Sequence, residues 1–255
     1  MESRLMLKTE YSQGMTRIAD LYFTAPYKIM SPLATEVPGQ VRILQMAASA
    51  GLLSGDHFHG EFHFGPGSRV LYGSQSYEKV FRSKGAQTTK ELEIHVDEDA
   101  HVTFLPYPVI PFGGSDFASH TRIRLAGNCS FSYGDIFTCG RTGMGEYYAM
   151  KRFRSVTGVS VGDTLIFRDH TLLVPERYRY NTLGLWEDFT HQGLLFLYAP
   201  DMETLLPEVQ KRLQHLPFDG RGGISACIDP HAAVVRVLGH RGEDIYRLFE
   251  EITTL

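Results

Sequence analysis

The sequence predicts a mainly β protein, a β-helix or solenoid-like stack of strands with a small two-helix layer at its C-terminal end. Three observations carry this expectation. Apolar and polar residues alternate with the period of a strand through the first two-thirds of the 255-residue chain. A short motif recurs as Phe64-Gly-Pro-Gly-Ser68-Arg-Val70, Val96-Asp-Glu-Asp-Ala100-His-Val102 and Leu125-Ala-Gly-Asn-Cys129-Ser-Phe131. Near residue 200 the period changes to that of amphipathic helices.

Arg69 to Gln75 reads as a strand, with Val70 and Leu71 apolar. Leu92, Ile94 and Val96 alternate with Glu91, Glu93 and His95. Ile123 and Leu125 alternate with Arg122 and Arg124, and Phe131 and Tyr133 with Ser130 and Ser132. Turn formers punctuate these runs at Gly65-Pro66-Gly67, Asp97-Glu98-Asp99, Gly113-Gly114, Gly127-Asn128 and Gly162-Asp163. In the recurring motif an apolar residue precedes a three-residue turn, a small residue, a polar one and a new strand. The small residues are 32 and 29 positions apart, which suggests stacked β-units that cannot bury their faces alone. Cys129 occupies the slot of Ser68 and Ala100, so it reads as a buried small residue and not as a ligand or nucleophile.

Beyond residue 200, Asp201 is placed to cap a helix with Leu205, Leu206, Val209, Leu213 and Leu216 on its apolar side, and Glu208 stands four residues before Arg212. Pro207 either limits that helix to one turn before it or sits at its first helical position. Gly220-Arg221-Gly222-Gly223 is expected to end the element. Two short strands (224–228 and 233–238) follow, then a helix from about Glu243 with Ile245, Leu248, Phe249 and Ile252 on one stripe. No low-complexity linker intervenes. The expectation is one domain over 1–255, with a β-body over about 1–199 and a mixed helical section over about 200–255.

Composition narrows the function. Hydrophobic residues at 43% and charged residues at 21% are ordinary for a chain that buries a sizeable core. The net charge of −4 gives no electrostatic reason to expect nucleic acid. The first residues have no apolar core of a secretion signal, and the longest apolar run, Leu194 to Ala199, is too short to span a bilayer. Three widely separated cysteines, Cys129, Cys139 and Cys227, argue against a disulfide framework or a structural zinc site. Cytoplasmic residence without a membrane follows as the expectation.

Catalytic signatures are missing. There is no G-x-x-x-x-G-K-[ST], no G-x-S-x-G and no H-E-x-x-H, and Gly140, Gly143 and Gly145 do not have dinucleotide-binding spacing. A sugar-cleaving β-helix would need two acids facing across a cleft. The richest cluster is Asp56-His57-Phe58-His59-Gly60-Glu61-Phe62-His63-Phe64. On a strand, His57, His59, Glu61 and His63 share one face and the phenylalanines the other. Imidazole with carboxylate suits nickel, copper or zinc. Neighbours on that face stand about 6–7 Å apart, so two of the side chains, but not all four, can reach one ion. A plain polar strand face is the competing interpretation.

Three further blocks carry a family resemblance. Ser74-Gln75-Ser76-Tyr77-Glu78-Lys79-Val80-Phe81-Arg82-Ser83 runs from a strand end into a hydroxyl-bearing segment with two cations. Leu105-Pro106-Tyr107-Pro108-Val109-Ile110-Pro111-Phe112 follows, its prolines marking an irregular or edge segment. Gly134-Asp135-Ile136-Phe137 then leads into Gly140-Arg141-Thr142-Gly143-Met144-Gly145-Glu146. In this order and spacing the blocks resemble the urease accessory family UreD, called UreH in some bacteria, from about Thr24 to Phe167 and more loosely to the C-terminus.

The resemblance implies a β-rich, non-enzymatic metallochaperone scaffold. Such proteins form a complex with the accessory protein UreF and the GTPase UreG, dock on apo-urease and deliver nickel. It also implies an internal tunnel as the nickel route, a dimeric accessory complex bridged by UreF, and transient Ni2+ in place of a tightly bound cofactor. Gly55-Asp56 matches a glycine–aspartate motif typical of the family. Asp135 and Glu146 fall on acidic positions of its pattern, and Asp169 is a weaker match. The histidines are not part of it. The candidate transit path is therefore Asp56, Asp135 and Glu146, with His57 and His59 as an auxiliary site. Arg141, Met144 and Tyr147 around the glycine-rich loop are the candidate partner contacts. The alternative is a protein–protein scaffold that never touches metal.

Overall fold

The alternating segments fold into two sheets packed against each other, in a computed structural model that describes residues 1–255. The first sheet has the spatial order β2 (Met15–Phe23), β1 (Glu2–Ser12), β6 (His57–Phe64), β9 (Thr88–Val96), β12 (Asp116–Leu125), β14 (Arg152–Val161), β15 (Thr164–Leu173). The second runs β3 (Tyr27–Ile29), β5 (Gln40–Ala47), β7 (Arg69–Gln75), β10 (His101–Leu105), β13 (Ser130–Thr138), β16 (His191–Tyr198), β18 (Ala232–Gly239), β17 (Gly220–Ala226). Three short strands flank it: β4 (Leu33–Ala34) on β5, and β8 (Glu78–Val80) beside β11 (Val109–Pro111).

The inner strands of both sheets are parallel, and the chain passes from one sheet to the other at β6–β7, β9–β10 and β12–β13. This is the predicted solenoid, with about four turns. The recurring motif is its corner. His101 is in register with both Arg69 and Ser130, which stacks Ser68, Ala100 and Cys129 in one fully buried column. The His101 N–H donates to the Ser68 carbonyl at 2.8 Å, and the Ser130 N–H to the Ala100 carbonyl at 2.8 Å. Only a small side chain fits between corners stacked at the spacing of adjacent strands.

Strand parity sets the core. Phe58, Phe62 and Phe64 of β6 are buried while His57, His59, Glu61 and His63 face outward. Phe62 meets Tyr72 and Phe104 of the opposite sheet edge-on, each at 5.0 Å between centroids. The buried Asp116 carboxylate joins adjacent coils through Arg152 at 2.9 and 3.2 Å and Gln87 at 2.9 Å.

The C-terminal section departs from expectation in three places. Helix α1 (Met202–Gln214) passes through Pro207 without a break, because the carbonyl freed by the missing N–H lies in the first turns beside an exposed proline and can be hydrated. Asp201 precedes α1 but makes no side-chain cap, and Arg212 pairs with Glu251 of α2 (Gly242–Ile252), not with Glu208. Gly220 to Gly223 do not end an element: they form most of β17, which with β18 extends the second sheet. On α2 the stripe Ile245, Leu248, Phe249 and Ile252 is buried as predicted. It packs on β16 at Gly193, where a Cβ would stand 2.5 Å from Ile245 and 2.8 Å from Phe249, so only glycine admits the helix this close. No helix is long and apolar enough to cross a membrane.

Truncating Phe62 empties the contact between the sheets. Phe62→Ala should cost about 3–5 kcal/mol, read as a lowered urea midpoint at an unchanged slope. A loss under about 1 kcal/mol would contradict the packing described.

Candidate functional site

Between the sheets lie two adjoining cavities. The larger, about 110 Å³, is bordered by Tyr27, Gln45, Tyr72, Glu78, Lys90 and Tyr107 among others. The smaller, about 30 Å³, ends at Asp135. Lys90, Leu92, Pro106 and Tyr107 line both, so these four side chains form the shared wall.

The charges there sit on strand positions whose neighbours are core. Lys90 shares the inward parity of Leu92, Ile94 and Val96 on β9, and Asp135 that of Phe131, Tyr133 and Phe137 on β13. Lys90 Nζ meets Glu78 Oε2 at 2.8 Å, and both side chains are largely buried. Asp135 accepts a hydrogen bond from Ser155 Oγ at 2.7 Å. Asp135 keeps some accessible surface because it lines the smaller cavity. The protein around it nevertheless desolvates the carboxyl enough to raise its pKa, against the lowering effects of Ser155 and Lys90. Beside it, the Tyr133 hydroxyl pairs with Thr121 at 3.2 Å.

The other sequence-derived candidates stand elsewhere. Asp56 closes the turn before β6, accepting the Leu53 N–H at 2.8 Å, and lines neither cavity. His57 and His59 lie on the outer face of β6, across the sheet from the cavities. His57 Nδ1 is 2.6 Å from Thr89 Oγ1, and His59 Nε2 is 2.9 Å from Glu61. Its neighbour on the same face, His63, is held by Asp97 at 2.7 Å. No three His, Cys, Asp or Glu side chains gather closely enough to hold an ion. Of the five proposed transit residues, the structure therefore puts Asp135 alone on the cavity wall. It adds Glu78 and Lys90, which the site prediction omitted. The signal for Lys90 and Asp135 was in the sequence: each is a charge at a position where the alternation calls for an apolar residue.

Glu146 serves as a clasp. It accepts the Gly113 N–H at 2.7 Å and is gripped by Arg141, Nε at 3.1 Å and Nη2 at 2.6 Å. The Arg141 guanidinium in turn stacks 4.4 Å above the Phe112 ring. This fixes the glycine-rich loop against the Phe112–Gly113 turn and leaves Met144 and Tyr147 exposed beyond it. Arg141 is the main cause that holds the Glu146 carboxyl below the usual glutamate range. A depressed folded pKa means the clasp acts fully above the pKa of glutamate in the unfolded chain and weakens as pH falls through the folded value. Pepsin should therefore nick the 141–148 loop increasingly across that acid range. Trypsin at neutral pH should cut at Arg141 several-fold faster in Glu146→Gln; equal rates would mean the clasp does not order the loop.

Comparison with known proteins covers the whole chain. A family model described as UreD urease accessory protein matches residues 1–255. The chain is 31% identical over 254 residues to a urease accessory protein UreD of Acetivibrio thermocellus, covering 98% of this chain and 97% of that one. It is 30% identical over 256 residues to a urease accessory protein UreH of Helicobacter pylori, covering 100% and 94%. With a UreD of Flavobacterium johnsoniae the identity is 28% over 258 residues, covering 99% and 91%. A full-length family match and nearly full-length relatives at this identity, on a chain whose signature blocks line or flank the inter-sheet cavities, show that it belongs to the UreD family of urease accessory proteins.

Proposed function

We propose that the chain serves urease maturation as a non-catalytic carrier that guides nickel along the cavities between its sheets. The observation that carries this is the pair of adjoining cavities running past Glu78 and Lys90 to the desolvated carboxylate of Asp135. Nickel is the cargo here, and the chain's task is to let it pass. The larger cavity has room for several waters and the smaller for about two, taking roughly 10–15 Å³ for each. A hydrated cation that reaches the narrow part must exchange water for protein oxygen, and Asp135 is the oxygen ligand at that point. Single carboxylates set along a wall bind weakly, which suits transfer; a site that gathered imidazoles and carboxylates would hold nickel tightly, given its place in the affinity order of divalent ions. In this proposal Asp56, Glu146, His57 and His59 hold turns, loop and outer face, and reach the cargo outside the cavities or not at all.

The partners follow from the family: a UreF-like protein, a UreG-like GTPase acting through the complex, and apo-urease, in a dimeric accessory assembly bridged by the UreF-like subunit. Met144 and Tyr147, at 78% and 52% exposure, are the contacts we assign to a partner, with Arg141 holding their loop in place.

One observation favours the metal-free scaffold. The Lys90 ammonium stands at the junction of the cavities, and a fixed cation repels nickel until Glu78 offsets it. Asp135→Asn separates the two readings. The amide keeps the shape and can still accept from Ser155. The native pKa of Asp135 is raised, so its ionised form opposes folding above the unfolded carboxylate pKa, and removing the charge should leave the melting temperature unchanged or higher. Urease activation by the variant, measured in a reconstituted assay with nickel, should nonetheless fall at least tenfold while the accessory complex still assembles on apo-urease. Full activation by Asp135→Asn would favour the scaffold and sink the carrier.

A further inference from the structure

A second cleft, beside the start of α2, holds cations that the carrier reading leaves unused. It has a volume of about 410 Å³, and its lining includes Tyr77 and Lys79 after β7, the loop from Gly140 to Gly143, and Arg241 with Glu243 at the first turn of α2. None of these residues lines the inter-sheet cavities except Tyr77 and Lys79, which lie on the rim of the larger one.

Charge in the cleft is unbalanced. Arg141 is committed to Glu146 through Nε and Nη2, with Nη1 left over. Lys79 and Arg241 are exposed and form no ion pair. The one carboxylate lining the cleft, Glu243, lies close to the Tyr77 hydroxyl and to its own backbone N–H. Burial works to raise its pKa, but those donors and Arg241 outweigh it and hold the carboxyl below the usual glutamate range. The positive end of the eleven-residue helix α2 adds to the same field. The Gly143 N–H also lies in the lining without an acceptor in the protein.

His191 gives the cleft its chemical character. The side chain is 6% exposed and lines the cleft, yet its Nε2 makes no hydrogen bond within the protein. Its other nitrogen, Nδ1, stands 2.8 Å from Thr190 Oγ1, and that hydroxyl is also within donating distance, 3.2 Å, of the His240 carbonyl. With that proton on the His240 carbonyl, Thr190 accepts from Nδ1–H, and this tautomer, the one the assignment uses, leaves Nε2 as a bare lone pair on the neutral ring. Burial, with His240 adding to it, outweighs the opposing carboxylates of Glu243 and Asp244 and pushes the imidazole pKa down to about 4, so the ring is neutral at pH 7. The field attracts an anion, while the unpartnered nitrogen opens onto the cleft and can accept from a hydrogen-bond donor.

We propose that this cleft binds a small oxyanion that carries a proton, of the hydrogen-phosphate type, with Lys79, Arg241 and the free Arg141 nitrogen on its oxygens and its O–H donated to His191 Nε2. A fully deprotonated oxyanion of the same shape satisfies the cations but leaves its lone pairs facing that of Nε2. Sulfate, which has no proton at neutral pH, is therefore the discriminating comparison.

The full-length protein, with its histidines observed by NMR, should show a saturable shift of the His191 imidazole on addition of inorganic phosphate. Sulfate at matched ionic strength should bind at least tenfold more weakly. Lys79→Gln with Arg241→Gln changes two exposed side chains, so the melting temperature should hold while phosphate affinity drops at least tenfold. An O-phosphoserine titration at about pH 5, where a phosphate monoester carries one proton and His191 is still neutral, identifies the source: tighter binding than inorganic phosphate at the same pH marks a phosphate monoester as the ligand, weaker binding the free anion. Equal affinity for sulfate and phosphate, no saturable shift, or a double variant that binds like the parent would each overturn the assignment. Because none of these readouts involves nickel or urease, the outcome does not depend on the carrier proposal.

Discussion

The parallel ladder between successive coils is the constraint on which the rest of this structure depends. A coil of this solenoid leaves a full row of N–H and C=O groups on each side, and only another coil in the same register satisfies them. The corner column of Ser68, Ala100 and Cys129 pins that register, since a larger side chain there would hold the coils apart. A slip by one residue would exchange inner and outer faces along the whole strand. At its two ends the first sheet stops growing because antiparallel strands, β2 on β1 and β15 on β14, replace another parallel coil.

Fixed register stacks like on like across coils. Phe62 lies beside Ile94 inside, while His59 lies beside Glu91 and Glu61 beside Glu93 outside. The outer rows are thereby a solvated face with local pairs such as His59–Glu61 and Arg122–Glu93, worth little individually to stability. The inner rows tolerate charge only where the packing opens, and Lys90 and Asp135 mark where it does. The cavities are thus the places where the inward parity of two strands carries ions in place of hydrocarbon.

Much of this was legible in the sequence. Alternation located the strands, the corner motif identified the stacking, and the stripe from Ile245 to Ile252 gave α2 its buried face. Pro207 and the Gly220–Gly223 run misled because both are local signals that tertiary context overrode: an exposed proline early in a helix loses one solvated bond, and glycines at a sheet edge pair like any residue. The site was less legible. Asp56 and Glu146 look like ligands in one dimension, yet their oxygens are taken by backbone N–H groups and Arg141, a matter of turn geometry that spacing does not encode. The histidines of β6 were placed correctly on a shared face, but nothing in the alternation says what lies across the sheet from them. Lys90 is readable from parity, yet a single lysine among glutamates resembles a solvated strand.

Energetics argue that the interior charges are there for something other than folding. Moving an ion from water into protein costs several kcal/mol after relaxation, and a buried pair such as Lys90–Glu78 at best recovers that cost. Hydrophobic residues of similar volume would close the cavities and gain packing in a fold whose total stability is on the order of 5–15 kcal/mol. Asp135 is the sharper case, because a serine hydroxyl is its one hydrogen-bond donor and burial raises its pKa against that bond and the charge of Lys90. A pure scaffold needs only the outer surfaces and has no use for a desolvated carboxylate between its sheets. In the carrier we propose, that carboxylate would have a use: its incompletely satisfied charge would draw a cation inward, and the absence of further ligands around it would let the cation leave.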